Sequence, residues 1–182
     1  DLERLTKAAA GAPHSCRIYP DALRGFEDSP ESLTILIDSS GSMIKNLYTS
    51  PATTCAWAAA RSALDEGVMV SVINFSDKVY TVEATDDEQR IAEVIGKQQR
   101  RDTMLPEEQL EELIAVDGRR DLVLISDGRI ANPSAALPHL ESVIQRNPSN
   151  QGFAVMLESD PATRKIRDDL HAIGFQVTLF RF

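Results

Sequence analysis

The chain has 182 residues, of which 42% are hydrophobic and 26% charged, the composition of a globular fold with a sizeable core; extended disorder and collagen are excluded. With 28 Asp and Glu against 19 Lys and Arg, the formal charge of -9 repels nucleic-acid backbones and anionic membrane surfaces on average. No apolar run approaches the roughly 20 residues of a membrane span, and the N-terminus lacks the basic-then-apolar layout of a signal peptide.

Taken in order, the chain opens on Asp1 rather than Met, as a processed or excised product would. Residues 1–30 carry Pro13, Pro20, Pro30, Gly11 and Gly25 around one helix-like stretch from Leu2 to Ala10. They read as an N-terminal strap or linker, and residues 31–182 as the folded unit. The two cysteines, Cys16 and Cys55, allow one disulfide at most and cannot make a zinc site by themselves. Cys55 falls in an Ala-rich helical run that wants a small apolar residue, and both are read as reduced thiols.

From Leu33 onward short apolar runs alternate with longer amphipathic ones. Strands are predicted at Leu33 to Asp38, Met69 to Phe75, Lys78 to Glu83, Asp121 to Ser126, Gly152 to Glu158 and Gln176 to Phe180. LTILI, VSVINF, LVLI and FAVML are continuous apolar runs, which suits parallel strands buried on both faces. VYTVE alternates instead and follows NF through the short SDK, too short for a crossover helix, so it reads as the second arm of a hairpin. Helices are predicted at Pro51 to Glu66, Asp87 to Gln98, Pro106 to Ala115, Ser134 to Gln145 and Pro161 to Ala172. Ser50–Pro51 supplies a helix start, Pro138 a late start or kink, and Gly174 a stop. The expected fold is α/β: a doubly wound, mostly parallel six-stranded sheet with one antiparallel edge strand and helices on both faces.

One segment stands apart, LTILIDSSGSM at residues 33–43. A buried strand ends in Asp38, and the loop after it offers Ser40 and Ser42 around Gly41. Ligand sites in open parallel sheets lie beyond the carboxyl ends of strands. These donors are all hard oxygens, suited to Mg²⁺, Mn²⁺ or Ca²⁺ and poorly suited to zinc or copper. LVLISDG places Asp127 after another buried strand, and RRDTMLPEE brings Thr103 just ahead of a helix start. If the two strands are neighbours, Asp38 and Asp127 face one site.

In these residues the chain resembles the von Willebrand factor A domain with its metal-ion-dependent adhesion site, whose signature is Asp-x-Ser-x-Ser, a later Thr and an Asp after the fourth strand. Asp38, Ser40 and Ser42, then Thr103, then Asp127 match it, and the order of elements agrees from residue 33 to 182. The resemblance implies a divalent cation held by these five residues, with Mg²⁺ foremost. It also implies a non-catalytic role: binding an Asp or Glu of a protein partner that completes the ion's shell. The family usually has Gly before the Thr, whereas this chain has Asp102, read as pointing outward beside Arg100 and Arg101. Intracellular relatives often work with AAA+ ATPases of the chelatase and MoxR type. The lack of a secretion signal and of a disulfide frame tilts the expectation to the cytoplasm and to such a partner, with neither nucleic acid nor membrane as a ligand.

Rival readings are weaker. A capped turn explains any one of these loops but not the agreement of three. A Mg²⁺-dependent phosphotransfer fold also ends its first strand in Asp, but it commonly needs a second acid two residues on, where this chain has Ser40, and a well-placed Lys. Serine hydrolase, phosphate-loop and dinucleotide fingerprints are absent. An extracellular adhesion domain remains the other member of the same class. Trp57 reads as buried under the strap or, alternatively, as a partner anchor, and Leu47 and Tyr48 as a rim or shield of the metal loop.

Overall fold

The computed structural model describes residues 30–43, 50–157 and 161–179. The expected strap over residues 1–30, its helix-like stretch, Cys16, Leu47 and Tyr48 lie outside the described residues, Pro30 excepted.

The elements run β1 (Ser32–Asp38), a single 3₁₀ turn (Gly41–Met43), α1 (Pro51–Asp65), β2 (Met69–Phe75), β3 (Val79–Thr85), α2 (Glu88–Ile95) and α3 (Glu107–Ala115). Then come β4 (Arg120–Ser126), α4 (Pro133–Arg146), β5 (Gln151–Met156), α5 (Pro161–Ala172) and β6 (Phe175–Leu179). The six strands form one sheet in the order β3-β2-β1-β4-β5-β6. All pairings are parallel except β2 with β3, the hairpin arm inferred from VYTVE. The expected doubly wound α/β fold with one antiparallel edge strand is therefore the observed one.

Successive side chains of a strand face opposite sides, and the two cores follow that alternation. Leu33, Ile35, Ile37, Val70, Val72, Val123 and Ile125 pack with α1 and α2. Leu36, Ile73, Phe75, Leu122, Leu124 and Met156 pack with α3, α4 and α5 on the other side. Each fully buried Leu or Ile is worth about 1.5–3 kcal/mol, against about 0–1 kcal/mol for an exposed ion pair. The sheet is thus held by its two apolar faces.

α1 is buried on nearly all sides, not only along its Ala stripe; Trp57 is 0% exposed and belongs to the core. That burial rules out its reading as a partner anchor. Cys55 is disulfide-bonded, which corrects the expectation of a reduced thiol; a small apolar position in a helix reads alike for both states. Two boundaries also moved. α2 stops at Ile95, three residues before Gln98, because the buried Asn74 of β2 donates to the carbonyls of Val94 and Lys97 at 2.9 Å each. α4 begins at Pro133 and carries Pro138 inside it, so Pro138 does not start the helix.

Gly128 closes the turn after β4 with φ +79°, a left-handed conformation that costs other residues about 1–2 kcal/mol. A Cβ there would lie 2.6 Å from the Met156 side chain and 3.1 Å from the Cα of Thr163 in α5. Gly128→Ala should therefore destabilise the protein by about 2–3 kcal/mol in urea unfolding with an unchanged slope. A loss below about 0.5 kcal/mol would contradict this account of the turn.

Candidate metal centre

The winding of the chain decides where the site can be. β1 has β2 on one side and β4 on the other, so the crossovers diverge at the carboxyl end of β1, leaving the crevice between β1 and β4 open. Ile37 of β1 stands beside Ile125 of β4, which sets Asp38 next to Ser126 at the sheet's edge.

Asp38 is 1% exposed. Its Oδ1 accepts the Ser40 N–H at 2.9 Å, and its Oδ2 accepts the Ser126 hydroxyl at 2.8 Å. Burial pushes its carboxyl up to about 6; the hydrogen bonds from Ser40 and Ser126 oppose that rise and the charge of Asp127 adds to it. Asp38 and Asp127 are therefore near enough to repel. Ser40 and Ser42 are brought together, hydroxyl to hydroxyl, at 3.2 Å.

Asp127 is 2% exposed. Its Oδ1 accepts the Arg129 N–H at 3.0 Å, whereas its Oδ2 is buried with no hydrogen-bond partner, the Arg129 Nε standing 4.0 Å away. An anionic oxygen removed from water without a partner is costly. The donor set is two carboxylates and three hydroxyls, and among the described residues no cluster of three or more His, Cys, Asp or Glu side chains is placed to share an ion.

A cavity of about 470 Å³ opens over this crevice; Ser40, Ser42 and Thr103 line it. Thr103 itself is buried, at the bottom of a loop that several backbone contacts fix. The Gln99 and Arg100 N–H groups both donate to the Ser39 carbonyl, at 3.2 and 3.1 Å, and Gly41 N–H donates to the Arg101 carbonyl at 3.3 Å. Ala131 N–H donates to the Thr103 carbonyl at 2.8 Å. The loops after β1, α2 and β4 are thus stitched to one another; Ser40, Ser42, Thr103 and Asp127 belong to them, and Asp38 is the last residue of β1.

Sequence reasoning missed the side chains that do the stitching. Ser39 holds the Phe75 carbonyl of β2 through both its N–H and its hydroxyl. Ser76 donates to the Asp102 carbonyl at 2.8 Å. Gln99 donates to Asn74 Oδ1 and the Lys78 carbonyl, and its own Oε1 accepts the Lys78 N–H. Asn132 accepts the Leu105 N–H and donates to the Leu105 carbonyl and Glu107. Polar residues next to strand ends were the only available signal. Asp102 is exposed, and it lines the same cavity as Ser40, Ser42 and Thr103. The ion pair of Arg101 is formed with Asp77, at 3.6 Å.

No sequence family and no curated protein matches the chain. Solved structures do resemble it. A von Willebrand factor type A protein from Catenulispora acidiphila superposes with a TM-score of 0.56 at 17% identity, over 85% of this chain and 39% of that one. The chain thus spans about two fifths of that protein's length. The manganese-loaded TRAP protein of Plasmodium vivax gives 0.56 at 11% identity over 83% and 69%, and proximal thread matrix protein 1 of the mussel byssus gives 0.54 at 14% over 82% and 41%. The chain has the fold of von Willebrand factor A domains.

Proposed function

We propose that residues 31–182 form a divalent-cation-dependent protein-recognition module, with residues 1–30 as its strap. In this reading Asp38, Ser40, Ser42, Thr103 and Asp127 hold Mg²⁺, or Mn²⁺ or Ca²⁺, as a metal-ion-dependent adhesion site. The observation that carries it is the buried Oδ2 of Asp127, which has no hydrogen bond, beside the repelling carboxylate of Asp38 and close to a cavity lined by Ser40, Ser42 and Thr103. A divalent cation offsets both costs and suits hard oxygen donors. Bound there, it supplies an electron-poor position that accepts an Asp or Glu of a partner. The protein's own part is to pre-orient the donors: Ser126 and the Ser40 N–H fix the Asp38 carboxylate, and the Arg129 N–H fixes Asp127.

The phosphotransfer alternative fits less well. Such enzymes commonly carry a second acid two residues after the nucleophile, and Ser40 stands there, its N–H donating to Asp38. Manganese in the Plasmodium vivax protein is consistent with divalent binding in this fold. Two settings follow from the sequence resemblance: a cytoplasmic one with an AAA+ ATPase partner and an extracellular adhesive one. The disulfide at Cys55 favours the second, because such bonds persist in oxidising compartments. No helix among the described residues is long and apolar enough to cross a membrane.

Adding Mg²⁺ at about 100 times its Kd should stabilise the protein by about 2.7 kcal/mol, raising the thermal midpoint by roughly 5–10 °C. A midpoint that does not move with Mg²⁺, Mn²⁺ or Ca²⁺ sinks the proposal. Asp38→Asn should lose that rise. In chelator at pH 7.5 the same variant should be more stable than the natural chain by about 1–3 kcal/mol, because Asn carries no buried charge. The sign follows from linkage: folded Asp38 takes a proton at about 6, above the 3.8 of an unfolded carboxyl, so acidification through this window favours the folded natural chain. The gap between the two proteins should close between pH 7 and pH 4, and a gap that widens contradicts it. For the setting, alkylation in denaturant of protein drawn from its native host should label the buried Cys55 only after reduction; labelling without reduction returns the cytoplasmic reading.

A further inference from the structure

Basic side chains gather beside the candidate metal centre, whose carboxylates Asp38 and Asp127 are buried. The protein carries a formal charge of -9, yet among the described residues the cavity is lined by Arg100, Arg101 and Arg129 and by one acid, Asp102. Arg101 is 73% exposed, with its guanidinium 3.6 Å from the half-buried Asp77, and Arg129 is half exposed. Met104, 51% exposed, adds an apolar side chain to the same cavity.

The backbone at Arg100 is the sharper observation. Its φ of 65° makes it, among the described residues, the one non-glycine in the left-handed region. Glycine adopts that conformation without steric cost, and this position carries a bulky cation instead. The conformation is enforced by the paired Gln99 and Arg100 N–H bonds to Ser39 and by Gly41, where even a Cβ would come within 3.3 Å of the Arg100 carbonyl. Strain held in place by its surroundings at a cavity edge marks a residue kept for what it touches outside the fold. Here the clamp holds the backbone of the exposed Arg100 against the loop that bears Ser40 and Ser42.

We infer that the partner is an acidic segment presenting several carboxylates, one for the cation and the others for the arginine rim formed by Arg100, Arg101 and Arg129. The inference rests on the metal-bridged reading above and deepens it. Guanidinium groups pair with carboxylates through two parallel hydrogen bonds, with more directional preference than an ammonium. A rim of this sign also speeds approach of an acidic partner that the net charge of the chain would otherwise repel.

The test uses two labelled peptides in Mg²⁺, Gly-Ser-Asp-Gly-Ser-Gly and Gly-Asp-Glu-Asp-Glu-Gly, with fluorescence anisotropy. The acidic peptide should bind at least tenfold more tightly, and more so at low salt. Arg100→Gln combined with Arg101→Gln should bring it down to the level of the single-acid peptide, while Mg²⁺ binds the variant no more weakly than the natural chain, two like charges beside the ion having been removed. Arg100→Gly keeps the backbone conformation and releases its strain, so it should raise the thermal midpoint and still weaken the acidic peptide several-fold. Equal binding of the two peptides in Mg²⁺, or unchanged binding in these variants, overturns the rim. Failure of Mg²⁺ to bind overturns the metal-bridged reading itself, as does acidic-peptide binding that persists in chelator but falls in the variants, although that second result upholds the rim.

Discussion

Where β1 and β4 end, a buried hydrogen bond between side chains ties the two halves of the sheet together. The Ser126 hydroxyl at the end of β4 donates to Asp38 at the end of β1 and accepts the Gly128 N–H at 3.0 Å, so one buried oxygen fixes both strand-end loops. The arrangement works only because β1 and β4 lie side by side in register, and that adjacency follows from the doubly wound order of the sheet. Remove the adjacency and Asp38 and Asp127 have no common crevice. The price of the geometry is a carboxylate whose charged form burial disfavours.

Around that bond the neighbouring loops leave little slack. Ser39 clasps the end of β2, Ser76 and Asn74 carry the contact outward to the β2–β3 hairpin, and Gln99 ties the hairpin to the loop that bears Thr103. Thr163 of α5 donates to the Asp127 carbonyl at 2.7 Å, which adds a helix on the far side. Positional accuracy of this kind lets a binding site begin from ordered ligands instead of spending part of its affinity on ordering them.

Much of the architecture was legible in the sequence because the signals were periodic or local. Continuous apolar runs gave the buried strands, the short SDK link gave the hairpin, and Asp-x-Ser-x-Ser after LTILI pointed to the crevice. What was not legible depends on partners far along the chain. Asn74 sits in an apolar strand and gives no sign that it will end α2 some 20 residues later. Arg100 has an ordinary letter in an extraordinary conformation. Cys55 fits a helix stripe whether or not it is oxidised, so only spatial pairing separates the two states. In each case local propensity was correct as far as it went, and the tertiary partner supplied the rest.

The span of the bond between Ser126 and Asp38, 88 residues of sequence, has a consequence for how the protein is made. During synthesis β1, α1, β2 and β3 can associate as they emerge, because their pairings are with strands already present. The second neighbour of β1 arrives only with β4. Until then Asp38 and the serine-bearing loop after it have half of their surroundings, without Asp127. A site built as proposed would therefore be complete only once β4 has paired with β1, and the chain up to that point must form its non-local, slow-forming contacts without help from an ion.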